Sequence, residues 1–405
     1  MGKMNKISNI KNQNILFLQG PMGNFFKDIA LSFEKQGATT YKIGFNMGDW
    51  FFSKKENYIP YKGKSEKWEE YIASFLKDKK IDKIFLFGDC RFYQRITIQV
   101  ADKLGIEVFV FEEGYIRPHY ITMEKHGVND FSKISREPNF YLDNYNAEET
   151  LEVLDTMPSV YKRIWVTTVY FMMKDIFWFR YPHYRHHTEY NFLQEFFFGI
   201  RNLFRRYTYK ITEKSIEKTI LTQEKDNYYF VPLQTYNDFQ VTEHSDFNSM
   251  EAFISVVIES FAKFAPKETK LVIKHHPMDR GRKNYTSHIK KIAKKHSVED
   301  RVISVHDIYL PSCLKYAKGT VTINSTVGLS SLYHRTATIV LGRAIYDIEG
   351  LTCKPMSLDA FWSNATKPDK ELYEAFRHYL VKHTQLNGSF YGRFPDILKN
   401  VKGNI

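Results

Sequence analysis

The sequence predicts an α/β protein with two doubly wound parallel sheets and a helical segment of different character between them. Three observations carry this expectation. Short apolar runs alternate with amphipathic stretches through the first third of the chain. The same alternation restarts near residue 228. Between the two, the pattern gives way to sequence dense in aromatic and basic residues. Short buried strands separated by helices are the signature of parallel sheets covered on both faces. The expected division is 1–150, 151–225 and 226–405.

In the first part, ILFLQ (Ile15 to Gln19) reads as a buried strand followed by the turn GPMGN. Phe25 to Gln36 has helical spacing and stops at Gly37, a natural C-cap. TTYKIGF is a second strand. Lys64 to Lys79 is a polar helix whose apolar stripe runs through Trp68, Tyr71 and Phe75. KIFLFG (Lys83 to Gly88) is a strand ending at Asp89, a helix reaches Leu104, and EVFVFEEG is the next strand. In the last part YYFVPLQ, KLVIKHHP, RVISVH, GTVTINS and TATIVLG are the strands. Asn248 to Phe264, Asn284 to Lys295, Leu310 to Ala317 and Val327 to His334 are the helices between them. In the middle part, Trp165, Val169, Met172, Ile176 and Phe179 fall on one helical stripe, and Phe196 to Phe198, Leu203 and Phe204 sit beside Arg201, Arg205 and Arg206. Two readings fit: a helical hairpin packed on the sheets, or an interfacial helix with a basic face on anionic lipid.

Composition narrows the function. Of 405 residues, 43% are hydrophobic and 26% charged, enough for a sizeable core and too apolar for a disordered chain. The net charge of +12 asks for an anionic partner: nucleic acid, a phosphorylated small molecule or an acidic lipid surface. No helix-turn-helix, finger or RNP-like motif supports nucleic acid. Cys90, Cys313 and Cys353 are far apart and lack metal-ligand spacing, which predicts a reducing compartment and no disulfide framework. MGKMNKISNIKNQN lacks the apolar core of a signal peptide and the Ser or Thr of a myristoylation site. The longest apolar run, Ile164 to Met173, is cut by Lys174 and Asp175, well short of the roughly 20 residues a spanning helix needs. A soluble or membrane-surface protein is expected.

Ligands of doubly wound sheets bind outside the carboxyl ends of the strands. Four groups fall there. Glu112 and Glu113 precede Gly114 and Arg117 at the end of a strand, either opening a solvated loop or facing a substrate; Arg117 could pair with one of them. KHHPMDR places Lys274, His275, His276, Pro277 and Arg280 where a phosphate could lie, or forms an ordinary turn. INSTVG brings Asn324, Ser325 and Thr326 to a helix start, as an anion site or a routine N-cap. QGPMGNFF offers Gly20 and Gly23 for close backbone approach, although it fits no phosphate-loop pattern. Asp89, Arg91 and Gln234 stand at further strand ends.

The order of an acid-acid-Gly turn, an HP turn and a Ser/Thr cluster resembles the layout of bacterial GT-B glycosyltransferases that use CMP-sugars, in which two Rossmann-type domains face a cleft. FLQGPMGNFF, GDCRFYQR, FEEGYIRPHYITMEKHGVN, YFVPLQTYNDFQV, IKHHPMDRG and INSTVGLSSL resemble, more narrowly, the capsule polysaccharide synthesis and export family and its β-Kdo transferases of the KpsS/LipB type. The resemblance implies transfer of Kdo from CMP-β-Kdo to lysophosphatidylglycerol or a similar anionic lipid, with retention of configuration. It implies a catalytic carboxylate at Glu113 or Glu112, with Asp89 as a further candidate. It implies that His276 and Pro277 hold cytidine monophosphate, and that Ser325 and Thr326 grip its phosphate. Gly20, Gly23, Arg91, Arg117, Gln234, Lys274, His275 and Asn324 complete the expected substrate-binding set. No metal or other cofactor is expected. The expected place is the cytoplasmic face of the inner membrane, held peripherally and alongside other capsule synthesis and export proteins. The alternative is a non-catalytic assembly or export factor that binds the glycolipid.

Overall fold

The computed structural model describes residues 10–394 except 54, 150, 152 and 187–189. The reading of the N-terminal stretch therefore lies, for residues 1–9, outside the described residues. The elements run β1 (Asn14–Leu18), α1 (Phe25–Glu34), β2 (Thr39–Gly44), α2 (Met47–Phe51), β3 (Tyr58–Pro60), α3 (Trp68–Asp78), β4 (Lys83–Phe87), α4 (Phe92–Leu104), β5 (Glu107–Glu113) and β6 (Tyr120–Lys125). Four helices follow: α5 (Pro138–Asp143), α6 (Val160–Ile176), α7 (Phe192–Thr212) and α8 (Lys214–Thr222). Then come β7 (Tyr228–Pro232), α9 (Phe239–Thr242), α10 (Met250–Phe264), β8 (Lys270–Lys274), α11 (Thr286–Lys295), β9 (Val302–Val305), α12 (Leu310–Lys315), β10 (Gly319–Thr322), α13 (Val327–Tyr333) and β11 (Ala337–Val340). The chain closes with α14 (Leu358–Asn364), α15 (Lys370–His383) and β12 (Gln385–Asn387).

These elements form two compact units. The first holds the chain up to Lys133, Glu148 to Gln194, and the chain from His378 onward; the second holds Ile134 to Ala147 and Glu195 to Arg377. This corrects the expected division at 150 and 225. The middle segment is not one insert: α6 belongs to the first unit and most of α7 to the second. The C-terminal stretch returns to the first unit because β12 pairs antiparallel with β6, Gln385 opposite Thr122.

In the first unit the strand order is β12-β6-β5-β4-β1-β2-β3, with β6 alone antiparallel to β5 and β12 antiparallel to β6. Alternation sorts its side chains. Phe17, Phe85, Phe109 and Phe111 point to one face, where α1 covers them with Phe25, Phe26, Ile29 and Phe33. Leu16, Leu18, Ile84, Leu86, Val108 and Val110 point to the other, under Trp68, Ile72 and Tyr93 of α3 and α4. The register sets Phe17 opposite Phe85 and Phe85 opposite Phe109, and their rings stack at 5.2 and 5.1 Å. Part of the high phenylalanine content is thus a ladder running across the sheet. Each such ring, fully buried, contributes about 1.5–3 kcal/mol of transfer free energy.

The second unit has five parallel strands in the order β11-β10-β7-β8-β9. Its core joins Tyr229, Val231, Leu271 and Ile273 to the α10 stripe of Phe253, Ile254, Val257, Ile258 and Phe261, and to Trp362. The parallel strands of both units follow one order. From the first strand the chain adds two neighbours on one side, then crosses to the other. The crossing opens a switch point between β1 and β4 in the first unit and between β7 and β10 in the second. Crevices at such points are where doubly wound sheets bind ligands.

Candidate functional site

In the first unit Glu112 and Glu113 are the last two residues of β5, paired with Thr122 and Ile121 of β6. They do not open a solvated loop. Both are half-buried. Glu112 accepts the Glu113 backbone N–H at 3.0 Å. Burial pushes its carboxyl up to about 7, against the pull of that N–H and of the Arg91 guanidinium, while Asp89 and Glu113 push the same way as burial. Arg91 stands at the N-cap of α4, 5.1 Å over the Phe87 ring. Gly88 lies beneath both: a Cβ there would meet Glu112 Oε2 at 3.6 Å and Arg91 Nε at 3.7 Å. A carboxyl that changes protonation near neutrality, beside a fixed cation at the carboxyl end of β5, can give or take a proton.

Why the turn is Glu-Glu-Gly follows from the hairpin. A Cβ on Gly114 would lie 2.1 Å from the Tyr120 carbonyl oxygen, so only glycine fits. The Tyr115 N–H donates to Gln385 Oε1 at 3.0 Å, and its hydroxyl donates to Glu124 Oε1 at 2.6 Å. Thr122 Oγ1 donates to the Glu113 carbonyl at 3.1 Å. Arg117 donates through Nε to the Gly114 carbonyl at 3.2 Å, and among the described residues it makes no ion pair with Glu112 or Glu113. Asp89 is buried and serves the backbone: Oδ2 accepts the Val128 N–H at 2.8 Å and Oδ1 faces the Cys90 thiol at 3.2 Å.

The switch point between β1 and β4 holds a buried polar network that sequence reasoning missed. Gln19 donates to Tyr184 Oη at 2.9 Å and Asp49 Oδ2 at 3.3 Å, and accepts from Gln94 at 3.1 Å. The Tyr170 hydroxyl donates to Asp49 Oδ1 at 2.9 Å. Burial raises the Asp49 carboxyl despite nearby Lys42, and pushes Lys42 down to about 8. Through Tyr170 this network fastens α6 to the sheet. Beside it, after the GPMG turn, Gly23, Asp28, Phe52, Lys162, Trp165 and Phe390 are among the residues around a hollow of about 290 Å³.

In the second unit the β7–β10 switch point is closed by a pair of hydrogen bonds between Gln234 and Asn324. Gln234 Nε2 donates to Asn324 Oδ1 at 3.0 Å, and the Asn324 N–H returns to Gln234 Oε1 at 3.3 Å. Asn324 also donates to the carbonyls of Gln240 and His244. At the end of β8, His275 is buried and has both ring nitrogens engaged. Nδ1 donates to the Val305 carbonyl at 3.2 Å, and Nε2 accepts the Tyr285 N–H at 3.0 Å. Burial and the His306 ring, stacked on it at 4.1 Å, push its pKa down to about 4, so it is neutral at pH 7. His276 is half-buried and caps the following turn, its Nδ1 accepting the Met278 N–H at 3.2 Å; Pro277 is exposed. Lys274 Nζ reaches the carbonyls of His275 and His306 at 3.5 and 3.4 Å, and burial lowers its pKa. Arg280 pairs with Asp307 at 2.8 Å. Ser325 Oγ accepts the Val327 N–H at 3.2 Å, while Thr326, the residue preceding α13, makes no side-chain cap bond.

The family model described as "Capsule polysaccharide biosynthesis protein" matches residues 82–391. The chain is 38% identical over 382 residues to the capsule polysaccharide export protein KpsS of Escherichia coli, covering 94% of this chain and 98% of that one. It is equally 38% identical to the capsule polysaccharide modification protein LipB of Neisseria meningitidis serogroup A, covering 95% and 93%. This chain belongs to the capsule polysaccharide biosynthesis protein family. Among solved structures it is similar to the Thermosulfurimonas dismutans KpsC β-Kdo 2,7 transferase, with a TM-score of 0.41 and 11% identity over 90% of this chain and 89% of that one.

The matched region of this family member contains the Glu112–Glu113 turn, the His276–Pro277 turn and the Ser325–Thr326 cluster; the turn holding Gly20 and Gly23 lies before it. The structure sorts the expected residues by the work they do. Glu112, Glu113 and Arg91 share one strand-end region of the first unit. His276, Ser325 and Thr326, half-buried, and Pro277, exposed, stand at strand ends of the second. Asp89, Gln234, His275 and Asn324 are buried, and their polar side chains hydrogen-bond within the fold, as does that of Lys274. Arg117 holds its own turn rather than an acid.

Proposed function

We propose that this protein is a glycosyltransferase of capsule synthesis that moves Kdo from CMP-β-Kdo to lysophosphatidylglycerol or a similar anionic lipid, starting a β-Kdo linker. The observation that carries the reading is Glu112. Glu112 is held half-buried, with its proton poised near neutrality, and that arrangement suits proton transfer to or from a reacting hydroxyl. Glu113, beside it, is the candidate for contact with the anomeric carbon. Retention of configuration requires a double displacement or a front-face route, and two neighbouring carboxyls suit the first. In the second unit the His276 turn, Ser325 and Thr326 take the nucleotide phosphate, and Lys274 beneath the turn adds positive potential as CMP departs. We assign no metal or other cofactor to these steps.

The hollow beside the GPMG turn combines aromatic walls with Lys162, which fits an acyl glycerophosphate as acceptor. A CMP-sugar donor and three buried cysteines without a disulfide fit the cytoplasmic face of the inner membrane, where other capsule synthesis and export proteins would take the product. The name of the relative KpsS, an export protein, favours a second reading, a glycolipid-binding assembly factor without turnover. Calorimetry with CMP, together with a CMP-release assay using CMP-β-Kdo and the lysolipid, separates the two. CMP binding is expected, weakened about tenfold by His276→Ala, the loss of one bond to a charged group. Glu112→Gln and Glu113→Gln are expected to bind CMP without releasing it from the donor. Absence of CMP binding by the wild type would sink the transferase reading; binding without release would favour the assembly factor.

A further inference from the structure

Helix α7 is amphipathic in the reverse sense. A helix on a globular protein normally turns its apolar stripe to the core and its polar face to water. In α7 the polar side makes the contacts. Arg205 Nη1 donates to the Arg280 carbonyl at 2.7 Å, Asn202 Oδ1 accepts from Arg280 Nη1 at 3.2 Å, and Glu195 pairs with Arg282. The Tyr209 ring stacks on His306 at 4.0 Å. The seat is tight: a Cβ on Gly281 would lie 2.3 Å from the Phe198 carbonyl oxygen. Just past the helix, Glu213 accepts the His306 and Asp307 N–H groups, each at 2.8 Å. The apolar stripe faces away. Phe197 is 64% exposed, Phe204 69%, Tyr207 70% and Ile211 61%, and none of the helix's described residues is buried.

We infer that the outward face of α7 lies in the surface of an anionic lipid bilayer, with the helix axis parallel to the membrane plane. The choice of occupant rests on charge. Arg201, Arg205, Arg206 and Lys210 are the helix's cations, and Glu195, engaged with Arg282, is its one acid. At 100° per residue Lys210 flanks the apolar stripe with Arg206 next to it, where headgroup phosphates would meet them, while Arg201 on the other flank donates to the Gly281 and Arg282 carbonyls. A second copy of the chain would instead bring the same cations together. No helix among the described residues is long and apolar enough to cross a membrane, so the contact is interfacial. The helix then acts as a spacer. Its inner side touches Arg280, Gly281 and His306, which puts the candidate nucleotide turn about one helix diameter, roughly 10–12 Å, from the headgroups.

The inference stands apart from the transferase reading and is tested without turnover. Full-length protein is sedimented with vesicles of equal parts phosphatidylglycerol and phosphatidylcholine, and with phosphatidylcholine alone. Binding is expected to the first and to fall with salt. The triple variant Phe197→Ser, Phe204→Ser, Ile211→Ser changes only exposed positions, and circular dichroism checks its fold. It is expected to bind about tenfold or more weakly. Arg206→Glu with Lys210→Glu should remove the preference for anionic vesicles. A second measurement avoids multiple changes: Phe204→Cys, labelled with an environment-sensitive dye, reports that position, since Cys90, Cys313 and Cys353 are buried. A blue shift on phosphatidylglycerol vesicles is expected. Equal sedimentation of wild type and triple variant, or no dye response, overturns the inference. So does a dimer, seen by light scattering, that the triple variant disperses.

Discussion

Glu112 shows how one side chain can carry both a cost and a use. The four residues before it on β5, Val108 to Phe111, are buried and apolar, and the strand delivers it to a half-buried position where its charge is poorly hydrated. Below about pH 4.5 the folded and unfolded chains both hold its proton. Between 4.5 and about 7 only the folded chain does, so stability falls as pH rises through that window and stays reduced above it. Glu112→Gln should therefore melt higher than wild type at about pH 8, by on the order of 2 kcal/mol, and nearly equally at about pH 5. Thermal melts at the two pH values check this, and an equal difference at both would place the origin elsewhere. At this scale the sequence located the strand-end turns but not the hydrogen-bond partners within them. Which of His275 and His276 is internal depends on the Tyr285 N–H and the Val305 carbonyl; the duty of Asp89 depends on the Val128 N–H. Those partners come from other elements, and no local pattern announces them.

Elements were legible where burial on both faces wrote a continuous apolar run. β1, β4, β5, β7 and β8 are such runs, and each ends at, or two residues before, a residue singled out from sequence. Short edge strands were not legible. β12 is three residues, QLN, and its pairing partner β6 lies some 260 residues earlier, behind a turn that reads as loop. Yet β12 matters to the candidate site: Gln385 bonds the Tyr115 N–H behind the Glu-Glu-Gly turn, and Phe390 packs edge-on against Phe25 at 4.8 Å. Ending the chain after Thr384 should cost on the order of 4 kcal/mol, from lost ring burial and an orphaned backbone donor. Hydrogen exchange should show β5 and β6 losing protection while β7 to β11 keep theirs. Uniform loss in both sheets would mean that the C-terminal stretch supports more than the first unit. Helix α7 was half legible: the mixture of rings and arginines was visible, but only the contacts of Arg205, Asn202 and Tyr209 reveal which side turns inward.

Across the whole chain, two sheets with one strand order place acids at strand ends of the first unit and a histidine, a lysine and hydroxyls at strand ends of the second. The alternation of apolar runs made both sheets readable in advance, and the sequence of three motifs made the family readable. Domain limits were not, because β12 rejoins the first sheet from far along the chain and α7 passes from one unit to the next. Family membership rests on 38% identity across nearly the full length of proteins named for capsule export and modification. The catalytic account rests on chemistry at Glu112 and Glu113. Mass spectrometry of lysophosphatidylglycerol incubated with CMP-β-Kdo and the purified protein tests it most directly. The account predicts lipid heavier by one Kdo residue with wild type, and unchanged lipid with Glu112→Gln and Glu113→Gln. Unmodified lipid with a wild-type protein that binds both compounds, or full modification by Glu112→Gln or Glu113→Gln, would contradict it.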